Sequence, residues 1–126
     1  MTASGDTKDQ IAQAITSVTD EVPALRQLKL VLSVELRGRG DVQQYRVELP
    51  GPTITKALAT DARVNVEMRR EFFNAMVEEG ARVADWREAF SYGQAKATGV
   101  SQILRLIERV VSMHEERNQL RRAKQH

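Results

Sequence analysis

Residues 70–111 read REFFNAMVEEGARVADWREAFSYGQAKATGVSQILRLIERVV, and the way this stretch divides decides what the rest of the chain must do. Gly80, Gly93 and Gly99 cut it into a helix, a shorter helix, a small extended piece and a long last helix. A glycine after a helical run supplies the left-handed residue that ends a helix without a steric penalty. Before Gly80, the run Arg70–Glu79 places Phe72, Phe73, Met76 and Val77 on one face at helical spacing. Before Gly93, Asp85–Tyr92 brings Trp86, Ala89 and Phe90 together. After Gly99, the positions Ile103, Leu106, Ile107, Val110 and Val111 form a wide apolar stripe. From Glu115 the chain is nearly all polar, and the sequence predicts a solvated helical extension over 115–126 that frays.

Three helical stripes need something flat to cover, and the preceding residues supply it. Leu28, Leu30, Leu32, Val34 and Leu36 alternate with Lys29, Val31, Ser33, Glu35 and Arg37, a period of two that predicts a strand. Arg37–Asp41 (RGRGD) reads as a hairpin turn, and Tyr45, Val47 and Leu49 carry the return strand. Pro50-Gly51-Pro52 ends the hairpin, while Thr53–Thr60 fits either a short strand or an irregular crossing. Val64, Val66 and Met68 alternate with Arg63, Asn65, Glu67 and Arg69 in a further strand. At the front, residues 1–6 read as a frayed end. Asp6 or Thr7 caps a helix to about Ser17 that buries Ile11, Ala14, Ile15 and Val18. The expected fold class is therefore α+β: a mainly antiparallel sheet with one greasy face covered by helices, in a single domain over 1–126.

Composition narrows the function classes. The chain has 126 residues, 41% hydrophobic and 29% charged, with a formal net charge of +2. That is the profile of an ordinary globular domain large enough to bury a substantial core. It contains no cysteine, so neither disulfides nor thiolate metal sites enter, and no metal or cofactor is expected. MTASGDTKDQ lacks the features of a signal peptide, and no apolar run is long enough to span a bilayer, which makes a cytoplasmic location the expectation. The basic residues Arg117, Arg121, Arg122 and Lys124 are balanced by Glu115 and Glu116 just before them, the pattern of a solvated helix end rather than a nucleic-acid surface; a transient membrane contact stays open. Catalysis finds no support. The two histidines, His114 and His126, lie in the polar extension, and no serine stands in a strained glycine elbow.

The order of elements and the glycine pattern together resemble the sterol carrier protein type-two (sterol-binding domain) family, in its small bacterial-type stand-alone form. The resemblance rests on Val64–Met68, Phe72-Phe73, Gly80, Ala89-Phe90, Gly93, Lys96, Gly99 and Ile103–Val111, and covers about residues 28–111. One departure is Val100, where the family often has an acidic residue after the glycine that opens the last helix. The resemblance implies an apolar tunnel between sheet and helices that holds a lipid, fatty acyl chain or sterol-like molecule, with possible carrier duty. Its lining would come from Phe72, Phe73, Met76, Val77, Trp86, Phe90, Ile103, Leu106, Ile107 and Val110. Each of these, taken alone, is equally a core residue. The alternative function is a protein-interaction module that uses the last helix and its charged extension.

Overall fold

In the computed structural model, which describes residues 3–124, the elements follow in the order α1 (Ala3–Glu21), a 3-10 turn (Pro23–Gln27), β1 (Val31–Arg37), β2 (Val42–Glu48), β3 (Thr53–Thr55), β4 (Val64–Arg69), α2 (Arg70–Glu78), α3 (Val83–Ser91), β5 (Ala95–Gly99) and α4 (Ser101–Lys124). The five strands form one sheet in the order β3-β2-β1-β4-β5. The β1–β2 hairpin forms as its alternation predicts, with Val34 opposite Tyr45 and Leu32 opposite Val47. β2–β3 and β4–β5 are also antiparallel, and only β1–β4 is parallel, with Val34 beside Val66.

That register puts Leu32, Val34, Leu36, Tyr45, Val47, Ile54, Val64, Val66, Met68 and Ala95 on one face, because side chains alternate across a strand. Leu36, Tyr45 and Val47 are fully buried there, and Ile11 of α1 with Phe73 and Val77 of α2 packs into the same cluster. The Tyr45 hydroxyl donates to Gln43 Oε1 at 3.1 Å, so the buried phenol has a partner.

The opposite face is polar. Arg37 bridges Glu35 and Glu67 at 2.9 and 2.7 Å across β1 and β4, and Arg46 holds Asp61 with two hydrogen bonds of 3.1 and 2.7 Å. Hydrogen bonds from Arg37 and then Gln44 hold the Glu35 carboxyl below the usual carboxylate range. A carboxylate whose acidity is raised by folding stabilises the native state above its unfolded pKa and ceases to do so as pH falls through the folded one. The acid side of the stability curve is therefore expected to flatten in Glu35→Gln. Thermal melts from neutral pH down through the acid range check this; identical acid limbs in the two proteins would contradict it.

Several boundaries differ from the sequence reading. α1 extends from Ala3 to Glu21, beyond both the expected cap and Ser17; residues 1 and 2, part of the expected frayed end, lie outside the described residues. Thr53–Thr55 is a true edge strand, with Ile54 turned to the apolar face. α4 remains helical to Lys124 rather than fraying from Glu115; His126 lies outside the described residues. As far as Glu115 the helix is tied to the body by Arg87 of α3, which donates to Glu108 at 2.8 Å and to Glu115 at 2.9 Å, two carboxylates on one face of α4. Arg87→Leu should lower stability by about 1 kcal/mol, the scale of a partly exposed ion pair. Faster amide exchange over residues 107–115 is the expected signature, and unchanged exchange there would show that the network does not hold the helix.

Candidate functional site

α2 begins as β4 ends, and its two faces have different fates. Phe73 and Val77 point into the sheet core, whereas Phe72 and Met76 are only half-buried. The helix stops at Gly80, where φ is +69°; Gly80 N–H donates to Val77 O and Ala81 N–H to Met76 O, the paired bonds of a left-handed helix end. This turn swings the chain into α3, which is tied in two ways. Asp85 Oδ2 accepts the Arg82 N–H at 2.9 Å, and Glu21 at the end of α1 accepts the Val83 N–H at 3.1 Å. The Phe73 and Trp86 rings meet tilted, with centroids 6.3 Å apart, and lock α2 against α3 over the core.

Between the two helices lies a partly open cleft of about 220 Å³, lined by Phe72, Met76, Glu79, Ala81, Asp85, Glu88, Ala89 and Gln94. Its floor is apolar (Phe72, Met76, Ala81, Ala89), and Glu79, Asp85, Glu88 and Gln94 supply polar groups around it. A second hollow of about 20 Å³ lies toward α1, lined by Gln13, Ala14, Ser17, Met76, Val77, Gly80, Ala81 and Trp86. Met76 and Ala81 line both. Met76 and Ala81 thus form a wall common to both, and the methionine side chain, unbranched and with three rotatable bonds, is the adaptable part of it.

The expected lining is only partly assembled here. Phe72 and Met76 line the cleft, and Trp86 and Val77 line the second hollow. Phe73 is core, 3% exposed, and Phe90 is exposed at α3 without lining either space. Ile103, Leu106, Ile107 and Val110 stand apart from the cleft altogether. Ile107 and Val110 pack with Val22, Leu25, Val83 and Val111 in a second apolar cluster around the 3-10 turn, and Leu106 is 42% exposed. Helix α4 docks on that turn and on α3, so it does not roof the sheet. Residues of α1 and α2 pack directly on the inner sheet face, where the expected tunnel is not shown, and the cleft lies between α2 and α3.

The residues missed by sequence reasoning are Glu79, Ala81, Asp85, Glu88, Ala89 and Gln94. Their signal was present, since Asp85, Glu88 and Ala89 share one face of α3 at spacings of three and four, but two of them are acids that read as solvent-facing. Among the described residues no group of His, Asp and Glu could hold a metal ion, and His114 lies on α4 beside Asn118, 3.1 Å away.

No family model matches this sequence, and no curated protein matches it. Solved structures do. The solution structure of palmitated sterol carrier protein 2 like 2 from Aedes aegypti aligns with a TM-score of 0.54 at 19% identity, over 78% of this chain and 91% of that one. The crystal structure of sterol carrier protein 2 like 2 from the same organism gives 0.54 at 17% identity, over 80% and 95%. Sterol carrier protein 2 from Yarrowia lipolytica, in its apo form, gives 0.51 at 16% identity, over 73% and 82%. The chain thus has the sterol carrier protein 2-like fold that the order of elements and the glycine pattern imply.

Proposed function

We propose that this protein binds a hydrophobic ligand with an acyl chain or fused-ring body in the cleft between α2 and α3, and carries it in the cytoplasm without chemical change. The observation that carries the reading is the shared wall: Met76 and Ala81 bound both the α2–α3 cleft and the hollow toward α1. At about 220 Å³ the cleft alone is smaller than the roughly 300–1,000 Å³ of common ligand sites. A rotation of Met76 joins the two spaces and lengthens the apolar path past Trp86. Each methylene taken from water into that path contributes about 0.8 kcal/mol. The polar groups of Glu79, Asp85, Glu88 and Gln94 stay at the mouth, where a headgroup remains hydrated. The palmitated state of the Aedes aegypti protein supports this reading by fold similarity.

Trp86 is the only tryptophan, and it lines the inner hollow. Titration with palmitate should therefore change its emission saturably at micromolar ligand, and native mass spectrometry of freshly purified protein should show a co-purified lipid. Unchanged Trp86 emission together with a lipid-free mass would reject the reading.

A further inference from the structure

The last helix carries a second apolar face that the protein's own body does not cover. The body-facing side of α4 is defined by buried Val111 and by Ile107, which pack on Val22, Leu25 and Val83, and by Glu108 and Glu115, which pair with Arg87. Leu106, Met113 and Leu120 lie roughly 140–180° around the helix from Val111, at 100° per residue. They are 42%, 46% and 62% exposed. Together with Ile103, Val110 and Arg117 they make a stripe at alternating spacings of three and four residues, the seam of a coiled coil: Ile103, Val110 and Arg117 at one core position, Leu106, Met113 and Leu120 at the other. Val110 borders both faces, so the seam is continuous with the second apolar cluster.

We propose that this seam pairs antiparallel with α4 of a second copy of the same chain. The charges on the seam's border select both the partner and the direction. Arg109 and Glu116 flank the stripe on the same side, seven residues apart, and among the described residues neither enters an ion pair within the monomer. An antiparallel pair that sets Val110 against Met113 of the copy, and Ile103 against Leu120, brings Arg109 of each chain to Glu116 of the other. Two ion pairs form from one self-complementary pattern, as a two-fold axis requires. In the same register Arg117 falls opposite Leu106, where its aliphatic stem packs and its guanidinium reaches water. A parallel pair would instead press Arg117 against Arg117 inside the seam. A bilayer is the poorer fit, because an interfacial helix carries basic residues along its polar face beside a broad apolar one, whereas this stripe is narrow and bordered by Glu116.

Sedimentation equilibrium on the full chain tests the proposal, with a dimer expected in the micromolar range. Met113→Glu, at a side chain already in solvent and therefore harmless to the fold, should weaken it by at least about a hundredfold, or about 2.7 kcal/mol. Arg109→Glu and Glu116→Arg should each weaken dimerisation about tenfold and the double variant restore it, ~1.4 kcal/mol per step. Because the chain has no cysteine, direction can be read by cross-linking. Leu120→Cys should form a disulfide with Ile103→Cys in a mixture but not with itself, its own copy lying about 25 Å away along the axis. Four results would overturn the proposal: a monomer at every concentration, a dimer indifferent to Met113→Glu, self-linked Leu120→Cys, or a monomer whose Met113 side chain is needed instead to bind anionic phospholipid vesicles. Palmitate binding, measured by Trp86 emission, should be unchanged in Met113→Glu, which keeps this test separate from that of the cleft.

Discussion

Gly99→Ala is expected to lower stability by about 3–5 kcal/mol, a drop in melting temperature on the order of 10–20 °C for a domain of this size. Gly99 ends β5 opposite Val64 and hands the chain to α4 at φ +139°, a conformation nearly closed to residues with a side chain. A methyl group there would meet Arg63 O at 2.2 Å and Val64 Cα at 2.9 Å. That backbone has no freedom to withdraw. Arg63 N–H donates to Val31 O at 3.0 Å, and Arg63 O accepts the Val100 N–H at 3.0 Å, so relieving the clash unzips β5 from β4 and loosens the start of α4 together. Gly40→Ala is the proper comparison. It also has a positive φ, +75°, but nothing lies within 4 Å, so only the left-handed penalty of about 1–2 kcal/mol applies. Thermal and urea melts of the two variants separate conformation from collision, and a Gly99→Ala protein that melts within a few degrees of wild type would show that the strand pairing at β5 is wrong.

The alternation of Leu28–Leu36, Tyr45–Leu49 and Val64–Met68 was readable as strands because each has one wet and one dry face, and that alone fixes which residues meet in the core. Their neighbours were not readable. Nothing local says that β4 lies beside β1 in parallel, since that pairing depends on the crossing over residues 56–63 rather than on side-chain period. Ile54 shows the lower limit: three residues cannot display a repeat, so β3 becomes visible only through its bonds to Arg46 and Glu48. In α4 the period was seen but merged two faces. Ile107 and Val111 turn to the body, Leu106 and Met113 to solvent, and a sequence pattern reports that a face is apolar without naming what covers it. The cleft hid for a related reason. Its walls mix Ala81 and Ala89 with three acids, and a site made of small and charged residues has no hydrophobic period to betray it.

Met76→Trp is expected to weaken palmitate binding by at least tenfold, about 1.4 kcal/mol, while shifting the melting temperature by only a few degrees. Enlarging a residue inside a close-packed core forces strain of roughly 1–3 kcal/mol, because no neighbour can yield. Met76 is placed otherwise. It is half-buried, with the cleft of about 220 Å³ on one side and the smaller hollow on the other, so an indole can occupy the space the ligand would need. Leu106→Trp serves as the contrast: had α4 roofed the binding space it would behave the same way, but Leu106 is exposed on the far side of that helix, and its enlargement should leave palmitate affinity as it was. A displacement assay with a fluorescent fatty acid avoids interference from the added tryptophan, and thermal melts complete the comparison. If both variants bind as wild type does, the ligand does not occupy this cleft; if Met76→Trp instead melts about as low as a strained core variant and wild type binds nothing, Met76 is packing and the cleft is only a surface groove. The expected pairing, lost affinity with kept stability at Met76 and unchanged affinity with kept stability at Leu106, arises only when the apolar space between α2 and α3 is where the ligand goes.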